Sequence, residues 1–267
     1  MIDVNLPLIT QVDNKLRVVN TPYGYAVAEG NLPGHVFFGK MGYLPATAAA
    51  TYAVWNVAAD YVFPATPIQM EVYSTDNTND KAAGTGAWTV RIDYLDWFYK
   101  EKYEIVAVNG NTEVPTVNTD IYRVNGFRVN TAGTTGAATG TISLRAVADT
   151  PIYDQIAVGN AKSRTTVYTV PANKVLYLTS LMASSGYSTT GKQILVTLRA
   201  TYDDMTKAQT IGKLFLPYFQ CVLMDDIINK DFVIPLKFPG STDIKAVASG
   251  ETNARVTVNL SGWIEPE

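Results

Sequence analysis

Apolar and polar positions alternate through much of this chain. Ile68, Met70 and Val72 alternate with Gln69, Glu71 and Tyr73, and Trp88, Val90 and Ile92 alternate with Thr89, Arg91 and Asp93. A period of two sends successive side chains to opposite faces, so both runs predict strands half buried against a core. Residues 74–86 between them are mostly Asp, Asn, Thr, Ala and Gly and predict a loop. Residues 104–108 predict another strand, closed by Asn109-Gly110, a strong hairpin signal. Strands are also expected over 121–129 and 139–146, then over 165–170, 175–183, 194–202, 215–224, 232–238, 243–248 and 255–263. Helix signals are sparse. Asp203-Asp204 predicts at most a short turn, and 47–59 mixes alanines with Thr51, Val54, Trp55 and Val57.

The pattern occurs twice. Phe63-Pro64, the strand 68–73, Ser74, Gly84 and the strand from Trp88 to Tyr94 with Asp96 are matched by Val170-Pro171, 176–181, Ser184, Gly191 and the strand from Leu195 to Tyr202 with Asp203. The offset of about 107 to 110 residues is the size of one domain. Arg91 and Arg199 occupy corresponding strands. The expected fold is all-β: tandem jelly-roll-like antiparallel β-sandwiches, 41–150 and 151–267, behind an extended N-terminal arm, 1–40, in which Pro7, Pro22 and Pro33 break every apolar run. Pro151 marks the boundary between the two sandwiches.

Length and composition narrow the function. A chain of 267 residues can bury a real core in two domains. One cysteine, Cys221, permits no intrachain disulfide and no Cys-based zinc site; it reads as a small buried hydrophobe. A net charge of −3 argues against a nucleic-acid surface. The start Met-Ile-Asp-Val-Asn-Leu-Pro predicts no export signal, and every apolar run is too short for a membrane span. The charged fraction is only 17% while Thr, Asn, Gly and Tyr abound, a surface that can be buried between subunits without stranding charges.

No catalytic set emerges from the residues, and no cofactor or metal is expected. His35, the only histidine, lies in the arm and reads as a contact residue. The loop Asp76-Asn77-Thr78-Asn79-Asp80 offers oxygen ligands to calcium but lacks the glycine and terminal glutamate of an EF-hand, so an Asx turn is expected. Gly84-Thr85-Gly86 lacks the helix and Lys-Ser/Thr of a phosphate loop. Asp93, Asp96, Glu101 and Glu104 beside aromatic residues admit a glycan-degrading enzyme as an alternative. Trp97, Phe98 and Tyr99 form the expected contact surface, with His35 a further contact point.

Several short motifs fall in a telling order: Gly34-His35-Val36 with Gly39, Trp55, Ser74-Thr75 through Asp80 to Ala83-Gly84-Thr85-Gly86-Ala87, Val108-Asn109-Gly110 with Thr116, Tyr168-Thr169-Val170-Pro171, and Thr242-Asp243-Ile244. This series resembles a family of virion structural proteins of tailed bacteriophages, over residues 34 to 263. Met41-Gly42 and Glu113-Val114-Pro115 depart from the family pattern and mark a relative. The resemblance implies a structural protein made in the host cytoplasm and resident in the virion, and leaves its place in the particle open; a head decoration or collar/neck component is the expectation. It would bind other virion proteins and copies of itself, a trimer by analogy with other jelly rolls, and would engage neither nucleic acid nor membrane. It supplies no catalytic residues. A receptor- or glycan-binding module of a head or tail fibre is the other alternative.

Overall fold

The computed structural model describes residues 23–186, 193–201 and 214–267 in full, and 8–12 and 15–19 as backbone. Strand accounts for 54% of the chain and helix for 3%, so the all-β, antiparallel expectation holds. Gly191, Tyr202, Asp203 and Asp204 lie outside the described residues.

In chain order, β1 (Leu8–Val12) and β2 (Lys15–Val19) pair as a two-stranded sheet. Next come α1 (Tyr23–Ala28), a short helix the sequence pattern did not predict, β3 (Val36–Leu44) and β4 (Tyr52–Ala53). The middle of the chain holds β5 (Met70–Ser74), β6 (Ala87–Leu95), β7 (Glu101–Ala107), β8 (Val114–Pro115), β9 (Arg123–Ala132), β10 (Ile142–Ala146) and β11 (Ile152–Ile156). The rest holds β12 (Tyr168–Thr169), β13 (Lys174–Gly186), β14 (Ile194–Thr201), β15 (Phe215–Leu223), β16 (Ile227–Phe238), β17 (Asp243–Gly250) and β18 (Arg255–Pro266).

The middle strands form two sheets, β11-β10-β5-β8 and β7-β6-β9, around one core that includes Met70, Val72, Val90, Ile92, Phe127 and Leu144. The later strands form β16-β13-β18-β3 and β12-β17-β14-β15, with β4 also on β17, around a second core. The two halves share one strand order. In each, the first strand (β5 or β13) lies between the fourth (β8 or β16) and the sixth (β10 or β18), and the second (β6 or β14) lies between the third (β7 or β15) and the fifth (β9 or β17). The offset seen in the sequence maps β6 onto β14, where Val90 and Ile92 in one and Leu198 and Ala200 in the other are fully buried.

Strand pairing cuts across the boundaries expected at 40/41 and 150/151. β3 pairs along its length with β18, and β4 with β17, so Phe38, Leu44 and Val54 fill the core of the C-terminal half. β11 pairs with β10 of the middle half, burying Tyr153 and Ile156 there. A local periodicity shows that a segment is a strand, whereas its partner is chosen by which core still lacks an apolar edge. The hairpin expected at Asn109-Gly110 is also corrected. Gly110 does take the left-handed turn (φ 61°), but the chain leaves β7 in one sheet and enters β8 in the other. Gly110 N–H donates to the Asp80 carbonyl, which draws the turn towards the loop over 74–86.

The halves meet across β9, β12 and β17. Arg123 Nε and Nη2 donate to the two carboxylate oxygens of Asp243 at 2.9 and 3.1 Å, and Asn125 exchanges two 2.8 Å hydrogen bonds with the Thr169 backbone. Tyr99 and Tyr122 are buried beside them, with Trp97 and Ala172 packed against the pair.

Candidate interaction surface

The residues expected from the sequence sort into structural and exposed groups. His35 sits at one corner, with Nε2 3.3 Å from Glu265 Oε2 and Nδ1 3.0 Å from the Pro33 carbonyl. Tyr23 Oη and Trp263 Nε1 both donate to Glu265 Oε2 at 2.9 Å, so one carboxylate ties α1, His35 and the end of β18 together. Burial and this carboxylate push the Tyr23 phenol well above its ordinary range. His35 therefore has a structural contact within its own chain.

The turn over Trp97, Phe98 and Tyr99 is capped by Asp96, whose Oδ1 accepts from Phe98 N–H at 2.8 Å and Lys100 N–H at 3.0 Å. Burial opposes ionisation of Asp96, but these donors and Lys102 prevail and hold its pKa below the usual value. Tyr99 takes a left-handed conformation (φ 58°) that turns its ring inward. The outward platform is thus corrected: Tyr99 is 3% exposed, Trp97 leans on Tyr122 at 4.8 Å, and Phe98 alone faces solvent at 61%. Phe98→Ala is expected to shift the thermal midpoint by less than about 1 °C, whereas Trp97→Ala should lower it by several degrees through the junction; a differential melt of the two variants checks this.

The four carboxylates considered for glycan chemistry are individually engaged. Asp93 pairs with Arg91 at 2.7 Å, Glu101 with Lys174 at 2.5 Å and Asp96 with Lys102 at 3.2 Å. Glu104 accepts from the backbone N–H of Val117 and Asn118 at 2.6 and 3.0 Å. Asp76 makes the expected Asx turn, accepting from Thr78 N–H and Asn79 N–H at 2.8 and 2.9 Å. Bonds from the Asn79 side chain and backbone hold its carboxyl well below the usual range.

Sequence periodicity missed the most exposed apolar surface. β15 and β16 are edge strands of the two C-terminal sheets. The β13–β16 register passes from Leu178 opposite Leu236 to Ser180 opposite Asp231, so residues 232–235 arch out opposite Thr179 alone. Val233 is 100% and Ile234 82% exposed. β15 is irregular at the neighbouring level, between Phe219 and Pro217, and the rings of Phe219 and Phe232 meet edge to face at 5.8 Å beneath the arch. Tyr218, Val222, Met224 and Ile227 extend the exposed band. Edge strands are normally blunted by charge, and a wholly exposed Val-Ile pair on one marks a surface that gains by being covered. The signal available in the sequence was Val233-Ile234-Pro235, an apolar pair next to a proline, which suits an edge bulge better than a ladder.

A buried acid lies near the junction. Asp154 Oδ2 accepts from Ser163 Oγ at 2.9 Å and Oδ1 from Gln155 N–H at 2.8 Å, yet burial pushes its pKa up to about 6. A folded-state pKa above the unfolded one means that the native chain holds the proton more tightly. Stability from this group is therefore full below about pH 4 and is lost as the pH rises to about 6. Asp154→Asn should remove a contribution of about 2–3 kcal/mol to that fall, read as the difference between wild-type and variant urea midpoints at pH 4 and pH 7.

Comparison with known proteins adds little to this geometry. No family model matches the chain, and no curated protein matches it. A solved structure titled "Structure of infectious bursal disease virus Gt strain" aligns at 10% identity over 92% of this chain and 83% of that one, with a TM-score of 0.16. That superposition is too loose to carry an argument about fold or function.

Proposed function

We propose that this chain is a virion structural protein of the tailed-phage kind, a head decoration or collar/neck component that works by contact with copies of itself and with other particle proteins. The reading takes the two halves as jelly-roll-like units, the middle one inserted between β4 and β12 of the other. The shared strand order supports it, since two sheets ordered fourth-first-sixth and third-second-fifth, with a flanking strand on every sheet but β7-β6-β9, follow the path of two Greek keys. The motif series from Gly34 to Ile244 supports the family, and no residue set in the site analysis competes for a catalytic role.

The observation that carries the contact role is the arch over 232–235. Covering Val233 and Ile234 would contribute about 1.5–3 kcal/mol each. The partner that suits it best is a second copy. Lys230 and Asp231 lie side by side at the foot of the arch, supplying both signs of charge to a self-complementary contact.

Light scattering on the purified chain and on the double variant Val233→Asp/Ile234→Asp tests this. A defined oligomer that falls to monomer in the variant, with an unchanged melting curve, is the expected result. A wild-type monomer at high concentration, or an oligomer indifferent to the variant, would overturn the contact assignment. The receptor-binding alternative has Phe98 as its one outward ring on the 97–99 turn, a narrow platform for a glycan.

A further inference from the structure

At the far edge of the arch-bearing sheet, a cavity of about 490 Å³ opens between β3, β18 and the stretch 160–165. Among the described residues three cationic ones border it, Lys40, Lys162 and Arg164, and no Asp or Glu does. The chain as a whole carries more acids than bases, with a net charge of −3, so this local excess runs against the background. Ordinary pairing does not account for it. Arg164 Nη2 donates to Asn160 Oδ1 at 2.5 Å, a neutral partner, and its guanidinium lies 5.9 Å from the Tyr43 ring. Among the described residues neither Lys162 nor Arg164 makes an ion pair with an acid. Lys40 is spoken for: its Nζ donates to the Asn125 carbonyl and lies 5.6 Å from the Tyr168 ring, and it feels the charges of Asp154 and Asp93 on one side and Lys162 on the other.

The rest of the lining is suited to a hydroxylated solute. Asn259 and Ser261 stand two residues apart on β18, on one face of the strand, and pair in register with Met41 and Gly39 of β3. An amide and a hydroxyl can each give and take hydrogen bonds, while Met41, 44% exposed, offers an apolar wall. A sugar ring presents hydroxyls on its rim and C–H groups on a face, and a carboxylate on that ring matches the planar fork of an arginine.

We propose that this cavity binds a small carboxylate-bearing sugar, with Lys162 and Arg164 taking the carboxylate and Asn259 and Ser261 the hydroxyls. The site is separate from the assembly arch and stands or falls without it.

Calorimetric titration of the full chain at pH 7 with glucuronate, glucose and inorganic phosphate tests the proposal, alongside Lys162→Glu. Lys162 is exposed, and an unchanged melt establishes that this variant folds. The expected result is saturable glucuronate binding, with glucose and phosphate at least about tenfold weaker and the variant weakened by about tenfold or more towards glucuronate. Equal binding of glucose, phosphate binding as tight as glucuronate, no binding of any probe, or a variant indistinguishable from wild type would each overturn it.

Discussion

Arg123→Met is expected to lower the free energy of unfolding by about 3–5 kcal/mol, because it strands a buried carboxylate at the junction of the two halves. Arg123 and Asp243 are 3% and 1% exposed. Four of the five guanidinium N–H donors are placed: Nε and Nη2 fork onto Asp243, while Nη1 donates to the carbonyls of Pro64 and Tyr122 at 2.8 and 3.0 Å. Its plane also lies over the Tyr122 ring, 3.8 Å from the centroid. Asp243 accepts in addition from Thr169 Oγ1 at 2.6 Å. Burial works against the charge on Arg123, but the Asp243 carboxylate outweighs it and raises the pKa further, so the guanidinium keeps its charge. Removing the cation takes two charge-assisted donors from the anion in a medium that solvates it poorly. Urea unfolding followed by circular dichroism reads the loss. The double variant Arg123→Met/Asp243→Leu should recover more than half of it, since an apolar pair of similar volume carries no desolvation cost. A single variant within about 1 kcal/mol of wild type would show that water reaches Asp243 and that the halves are held by their packing alone.

That clamp also shows what the sequence could and could not reveal. The strands at 194–201, 215–223, 243–250 and 255–266 were legible to within a few residues, because each alternates against a core and alternation is a local property. The repeat was legible for the same reason, since it is a repeat of strand and loop lengths. Pairing was not. Nothing within Val36–Leu44 says that its partner is Arg255–Pro266, more than two hundred positions away, and the expected boundary at 40/41 cut that strand in two. Thr242-Asp243-Ile244 was noticed as a motif, but its meaning depends on Arg123, which stood inside an ordinary strand pattern. Tyr99 looked like surface because it stood in a turn beside two other aromatics. Its left-handed backbone, fixed by the Asp96 cap, put it inside. The arch at Val233 was invisible for a related reason: exposure there follows from a register shift between two strands, which no single strand encodes.

Asp80→Ala should be the most damaging substitution outside the junction, costing about 3–5 kcal/mol, and it concerns a residue that composition assigned to a solvated loop. Asp80 is fully buried. Its Oδ2 accepts from Ser74 Oγ and Gly140 N–H, each at 2.7 Å, and its Oδ1 accepts from Ala87 N–H at 2.9 Å and from Thr139 N–H and Oγ1 at 3.0 and 2.9 Å. One carboxylate thereby satisfies three backbone N–H groups drawn from two segments, the first residue of β6 and the loop into β10. Gly86 and Gly140 permit the close approach: a Cβ on Gly86 would lie 2.2 Å from Asp80 Oδ1, and one on Gly140 2.7 Å from Ser74 Oγ. The Gly-rich and Thr-rich loops that defined the family-like motifs are thus built around this acid. Alanine would orphan all three N–H groups in a space too dry to replace the bonds, and the two loops would lose their common anchor. Asparagine keeps the volume and one acceptor oxygen but points an NH2 group at two donors, so Asp80→Asn should recover less than half of the loss. The comparison is read from urea midpoints of the two variants. An alanine variant as stable as wild type would mean that water takes the carboxylate's place, and the loop over 74–86 would then be the solvated turn its composition suggested.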